Sequence, residues 1–297
     1  MLRILPQKLY DDPAMRKILV DGHSCIIHKK LDEPVLGKEG YLSTHALTMV
    51  LQGILRLENE DGLFVDVPAG NSVFIPKGIY TVSDILPKEG GVFEAVMFFF
   101  EADVIRQFIE NQSFKNNTRE KAVSHLVVPG NDGLNFFTQS LLRLYGGDVP
   151  AHRQLTKLKL LELLHLLHNC FSDKNYFPTL LATLDQRERR SLGEFMQANF
   201  HKPLGIEDYA YLTGRSVSTF TRDFKTKFEG ISPKQWLIER RLERAHGLLV
   251  RNHVHNISEV AWESGYENVP HFIKEFHKKY GITPKQFLIE SRKAVEV

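Results

Sequence analysis

The sequence predicts an α+β chain in two parts: an antiparallel β-barrel, then an all-helical region in which two helix–turn–helix units are joined by a long helix. Three observations predict it. Residues 1 to 100 alternate short apolar runs with turn residues, the pattern from residue 191 onward is helical throughout, and one helical segment occurs twice.

In the first part the runs "ILRLE", "LFVDV" and "SVFI" have strand length. The stretches between them, "NEDG", "PAG" and "PKG", are turn chemistry, in which Gly supplies positive φ and Pro fixes it near −65°. Strands this short and closely spaced suggest an antiparallel barrel or sandwich.

From Glu101 the period changes to that of a helix, first in "EADVIRQFIENQ" and then in "HRQLTKLKLLELLHLLHN", residues 152–169. The second carries Leu at 155, 158, 160, 161, 163, 164, 166 and 167, an apolar surface wider than one stripe. Such a helix must bury two faces. The expectation is that one face packs on the barrel and the other, through Leu158, Leu161 and Leu164, on a second copy of the chain. Residues 1–175 are therefore assigned to a sensor and dimerisation domain, 176–190 to a linker and 191–297 to the helical domain.

The repeat begins with "GISPKQWLIERR" at 230–241, which returns as "GITPKQFLIESR" at 281–292. Upstream, "IEDYAYLTG" (206–214) pairs with "ISEVAWESG" (257–265), and "FTRDFK" (220–225) with "FIKEFH" (272–277). Two copies are too few for a solenoid. Ser232-Pro-Lys-Gln235 and Thr283-Pro-Lys-Gln286 each supply an N-cap hydroxyl, Pro at the first helical position and Gln at the third, the pattern of a capping box. Before each cap lies a helix–turn–helix pattern. Ala210 and Ala261 let two helices approach closely, and Gly214 and Gly265 permit a left-handed turn between them. Phe220, Phe224 and Phe228, and likewise Phe272, Phe276 and Tyr280, recur at the i, i+4 spacing of a buried face.

The residues left outward are Ser218, Thr221, Arg222 and Lys225 in the first copy, and Pro270, Ile273, Lys274 and His277 in the second. A helix roughly 10–12 Å across fits the roughly 12 Å major groove, where Arg reaches guanine and small or apolar side chains meet a thymine methyl. The connecting segment 233–250 would form a rod of roughly 25–27 Å. Successive major-groove faces lie about 34 Å apart, so the rod and its flanking loops could set both units on one face of a duplex. Charge agrees with this. From Arg187 onward there are 19 basic and 14 acidic residues, net +5, against 19 and 22, net −3, before it. The alternative is a protein–protein scaffold in which the repeat packs partner helices.

Residues 190–292 resemble the DNA-binding region of the AraC/XylS family of bacterial transcription regulators. The likeness is carried by Ala210, Gly214, Phe220, "RDFK" (222–225), Gly230, Ser232-Pro233, "ERRLERAHGLL" and "ISEVAWESGYENVPHFIKEFHKKYGITPKQF". The resemblance implies double-stranded DNA as partner, with Ser218, Thr221 and Arg222 at base-reading positions of the first recognition helix and Pro270, Ile273 and Lys274 at those of the second. The second copy departs from the pattern: Pro270 has no side-chain donor and Lys274 stands where Arg is usual. That unit is expected mainly to hold phosphate, through Lys274, Lys278 and Lys279. Asn268 is its candidate cap. Contact with RNA polymerase and activation of transcription are family expectations.

The family also implies a cupin-like barrel in front that senses a small molecule or a protein and dimerises. Gly70-x5-Pro76-x-Gly78 matches the second cupin box. The metal ligands of that box are missing, because Ile79, Tyr80 and Thr81 follow Gly78 and His45 is followed by Ala46 and Leu47. No imidazole cluster is available for Fe, Mn or Zn, which argues against a metal-dependent cupin enzyme. "HVH" (253–255), His165 and His168 lack Cys or carboxylate partners at ligand spacing. No metal, cofactor or catalytic residue is assigned. His45 and Arg56 are the candidate effector-pocket residues, and Arg56 and Lys77 could pair an acidic effector. In general layout the front half also resembles that of regulators of virulence secretion, whose sensor contacts a protein antagonist.

Only Cys25 and Cys170 are present, which indicates no disulfide framework. No run reaches 18 apolar residues, and "MLRILPQKLYDDPAMRK" lacks an apolar core of signal-peptide length. The expected location is the cytoplasm, as a homodimer away from membranes.

Overall fold

A computed structural model describes residues 3–59, 62–112, 124–145, 153–184, 191–250 and 256–295. The chain divides into two compact units, Leu2–Gln186 and Arg187–Val297.

The first unit contains β1 (Arg3–Leu5), β2 (Met15–Asp21), β3 (Ser24–Leu31), β4 (Val35–Leu42), β5 (His45–Gln52), β6 (Ile54–Asn59), β7 (Phe64–Pro68), β8 (Ser72–Ile75), β9 (Gly78–Ile85), β10 (Phe93–Phe100) and β11 (Leu126–Val128). Four helices accompany them: α1 (Ala102–Glu110), α2 (Asp132–Leu144), α3 (Arg153–Asn169) and α4 (Tyr176–Thr183). The strands form two sheets, in the orders β1-β4-β9-β6-β7 and β11-β8-β5-β10-β3-β2. Among the described residues these sheets are not joined into one ladder, so the expected closed barrel is corrected to a pair of sheets. The turns work as expected at Gly62 (φ +76°) and Gly70 (φ +85°), whereas Gly78 simply opens β9.

The six-stranded sheet is covered on both faces. Along β10, Phe93, Ala95, Met97 and Phe99 enter one core with Ile27, Val50, Leu55 and Leu57. Val96, Phe98 and Phe100 enter a second core with Leu47, Phe108, Leu163 and Phe177. The alternation is that of any strand. Because both faces are buried, "AVMFFF" (95–100) reads as a continuous apolar run. In register, Phe98 stands opposite Ile26 of β3 and Leu47 of β5.

This layering corrects two expectations. The second face of α3 is covered by its own chain: the helix packs on α1, α2, α4, β2 and β3. Leu164 is 0% exposed and offers no surface to a partner, while Leu161 is partly buried against the same core. Leu158 remains outside, 62% exposed. The expected linker at 176–190 is also partly core, since Phe177, Leu180 and Leu181 of α4 are buried in that cluster.

The second unit is helical: α5 (Leu192–Asn199), α6 (Ile206–Leu212), α7 (Val217–Lys227), α8 (Pro233–Val250), α9 (Ile257–Glu263), α10 (Val269–Tyr280) and α11 (Pro284–Val295). Each copy of the repeat places its cap as the sequence predicts. The Ser232 Oγ accepts from the Gln235 N–H at 3.2 Å. In the second copy the box closes in both directions, with the Gln286 N–H on Thr283 Oγ1 (3.3 Å) and the Thr283 N–H on Gln286 Oε1 (2.9 Å).

Candidate nucleic-acid interface

The first reading unit is α6, a turn and α7. Ala210 is buried where the helices meet, Gly214 takes φ +68°, and the Arg215 N–H closes the turn on the Ala210 carbonyl at 2.9 Å. Ser216 caps α7 by accepting from the Thr219 N–H. Phe220 and Phe224 are fully buried, and Trp236 at the start of α8 meets the Phe224 ring edge-on at 5.8 Å. These contacts fix which face of α7 turns outward.

On that outward face Ser218, Arg222 and Lys225 are exposed, Arg222 by 74%. Thr221 is half-buried and donates its hydroxyl to the Val217 carbonyl at 2.8 Å, so toward solvent it offers a methyl and an acceptor. Asp223 was not singled out by the sequence. Its carboxylate accepts from Arg215 Nε at 3.2 Å and from Arg222 Nη2 at 3.3 Å, and so steadies the base of the exposed guanidinium. Desolvation would raise the Asp223 carboxyl, but the hydrogen bonds and charges of the two arginines outweigh it and hold the group below its usual range.

The second reading unit repeats this with α9 and α10. Ala261 is buried, Gly265 takes φ +94°, and the Tyr266 N–H closes on the Ala261 carbonyl at 2.9 Å. Asn268 caps α10 by accepting the His271 N–H at 2.8 Å, as expected. Phe272 and Phe276 fill the core beside Tyr280. Pro270, Lys274, His277, Lys278 and Lys279 are exposed, but Ile273 packs partly against the Phe272–Phe276 cluster. The second helix therefore presents mostly cations, with less for reading bases than the first. His277, Lys278 and Lys279 occupy its last turn, where positive charge also favours the helix dipole.

Helix α8 joins the units and, at 18 residues, is about 27 Å long. Its Arg241 fixes the rod to the first unit. The guanidinium donates through Nε to the Phe200 carbonyl (2.8 Å) and through Nη2 to the Lys202 carbonyl (2.7 Å), both in the loop after α5. The neighbouring Arg244 donates to the Glu263 carbonyl at the end of α9 (2.8 Å). The sequence marked both arginines only as part of a rod, since nothing local shows that their donors bind backbone some 20 to 40 residues away.

In the first unit, the structure separates the two candidate effector residues. His45 stacks on Phe74 and accepts the Lys77 N–H on Nδ1 at 3.0 Å. Arg56 lies on the outer face of β6, held by Asp66 through bonds of 2.6 and 2.7 Å. The cavity of about 90 Å³ between the sheets is lined instead by the residues before and after Arg56, Leu55 and Leu57, together with Lys29 and Asp84. His165 and His168 lie edge-on against Phe108. Among the described residues no three His, Cys, Asp or Glu side chains gather into a metal site; residues 253–255 fall outside them.

Paired helix–turn–helix units on one connecting helix, each with an exposed and mainly basic face, define a DNA-binding regulator. The sequence comparisons agree. Residues 209–289 match the helix-turn-helix domain family, and residues 45–175 match the ExsA N-terminal regulatory domain. The chain is 28% identical to the virulence regulon transcriptional activator VirF of Yersinia enterocolitica, over 82% of this chain and 89% of that one. It is 26% identical to the HTH-type transcriptional regulator ExsA of Pseudomonas aeruginosa, over 80% and 84%. A crystal structure of ToxT from Vibrio cholerae aligns over 89% of this chain and 97% of that chain, with 10% identity and a TM-score of 0.42. The chain thus carries a helix-turn-helix domain of the AraC type and is similar, over most of its length, to transcriptional regulators.

Proposed function

We propose that the chain activates transcription from promoters at which α7 and α10 enter consecutive major-groove segments on one face of the duplex. The observation that carries this reading is the Arg241 lock, which ties the rod between the two units to the first of them. Arg222, with the small Ser218 and Thr221 beside it, would supply most base recognition. Lys225, Lys274 and Lys278 would hold phosphate, and RNA polymerase would be recruited beside the site. The expected seat is the cytoplasm, where the DNA is.

Dimerisation would use what α2 and α3 leave outside. Phe136 and Leu144 lie eight residues apart along α2 and are exposed, as is Leu158 on α3. The first unit, a cupin-like pair of sheets, would carry the regulatory input.

Selection of bound sequences from a random duplex pool tests the reading. Two conserved blocks separated by about one helical turn support it, together with an affinity that falls steeply with salt. A single block, or an affinity indifferent to salt, would sink it.

A further inference from the structure

Helix α7 holds its exposed arginine at the end of a chain of contacts that starts in the turn before it. Thr213 is fully buried there, and its carbonyl accepts from Arg215 Nη1 at 2.7 Å. Arg215, only 11% exposed, donates through Nε to Asp223 Oδ2 at 3.2 Å. The other carboxylate oxygen of Asp223 accepts from Arg222 Nη2 at 3.3 Å. A guanidinium is a planar fork, so Arg215 can grip the turn and the carboxylate at once. The second copy is built differently. Tyr266 takes the place of Arg215, closing its own turn on Ala261, while Lys274 and Glu275 follow at the places of Arg222 and Asp223, and Glu275 lies 3.8 Å from His271.

With Arg222 74% exposed, its pair with Asp223 contributes little to stability. On a surface that meets a polyanion, a carboxylate also repels phosphates within a screening length of about 8–10 Å. Asp223 therefore lowers affinity for every sequence alike. Its effect on the arginine has the opposite sign. Ordering a free, rotamer-rich side chain on binding lowers affinity about three- to tenfold. Held at one donor, Arg222 is partly ordered before it meets a base, and its remaining N–H groups stay available for the two acceptors of a guanine edge. The same hold keeps it from swinging to a nearby phosphate on a sequence that lacks the guanine.

We propose that Asp223 is a positioning residue for sequence recognition: anchored through Arg215 to the turn, it sets Arg222 toward a guanine edge and withholds it from phosphate, raising discrimination between sequences while lowering affinity for DNA in general. This rests on the reading of bases by Arg222 proposed above.

Anisotropy competition titrations of the full chain test it on three duplexes: the selected sequence, the same sequence changed at the base pair whose preference Arg222→Ala relaxes, and a random sequence. Asp223→Ala lowers the ratio of affinities for the first two about three- to tenfold. It also raises affinity for the random duplex about two- to threefold at low salt, a gain that fades as salt is added. Arg215→Met changes the net charge in the opposite sense, and it too lowers the ratio, without raising affinity for the random duplex. The Asp223→Ala result stands by itself if Arg215→Met does not fold. An unchanged ratio in either folded variant overturns the inference. So does a ratio in Asp223→Ala that falls together with affinity for the random duplex, which is what a damaged helix would give. If Arg222→Ala leaves every base preference intact, the reading of bases by Arg222 falls and this inference with it. A relaxed preference in Arg222→Ala beside an unchanged ratio in Asp223→Ala removes the inference alone.

Discussion

Arg241 and Gly265 meet at one point of the helical unit. A Cβ on Gly265 would stand 2.9 Å from Arg241 Nε and 2.7 Å from the His201 carbonyl oxygen, so the turn of the second reading unit rests directly on the guanidinium that grips the loop of the first. The connection between the units is thus a packed joint made by a glycine and an arginine, in addition to the rod of α8.

This joint gives a pair of opposed expectations. Gly265→Ala, at φ +94° and with backbone in the way, should destabilise the unit by about 1–3 kcal/mol and weaken binding to a two-block site more than to a single block. Gly247→Ala lies inside α8 with nothing within 4 Å and should stabilise by about 0.5–1 kcal/mol. Thermal melts and titrations of one-block and two-block duplexes check both. Equal melting temperatures for the two variants would mean that the joint is loose.

Base reading should reside in the first helix. Arg222→Ala is expected to lose about 1–3 kcal/mol on the selected sequence and to relax base preference at one position. Lys274→Ala should weaken binding to every sequence alike and reduce the salt slope by about one. Competition titrations over a panel of single-base variants distinguish these. An equal loss on all sequences for Arg222→Ala would make it a phosphate contact.

The leucines of α3 should separate by burial. Leu164→Ala, at a site fully enclosed by its own chain, should cost about 2–5 kcal/mol of stability in the first unit. Leu158→Asp should leave the melt unchanged and shift the mass in solution from dimer to monomer. Circular dichroism and light scattering report the two quantities separately. If Leu158→Asp keeps the wild-type mass, the exposed face of α2 and α3 is not the dimer interface.

Acid should weaken the first unit before its carboxylates are protonated. Burial, helped by the charges of Lys174 and His165, holds the His168 imidazole below its ordinary 6.5, and its Nδ1 is buried with no partner. The folded chain thus binds fewer protons than the unfolded one. The neutral ring's contribution is complete above about pH 6.5 and is lost as pH falls below that value. Burial depresses His125 in the same direction. The melting temperature should fall between pH 7 and pH 5, and His168→Gln should flatten the fall. An identical pH profile in the variant would assign the loss elsewhere.

Some of this was legible in the chain because it is written in local spacing. The Ser232 and Thr283 caps, the Ala-to-Gly distance of each turn and the i, i+4 aromatics depend on residues within one or two helical turns, so a single copy suffices to read them and a duplicate to make them specific. The short strands and their turn glycines were legible for the same reason. Which face each strand showed to which layer was not. By its sequence Arg56 is a candidate pocket residue, but β6 turns Leu55 and Leu57 inward, and a slip of one residue in phase exchanges every side chain between core and solvent.

The sequence by itself therefore determined two reading units, the helix between them and a strand-rich front part, because those follow from periods and caps. Tertiary structure alone decided that α3 buries Leu164 within its own chain, that Lys29 and Asp84, 55 residues apart, face each other across two sheets, and that Arg241 closes on a loop about 40 residues before it. Contacts between distant residues leave no period in the chain. They are settled by which surfaces exclude water together and by which buried polar atoms find partners once the layers have packed.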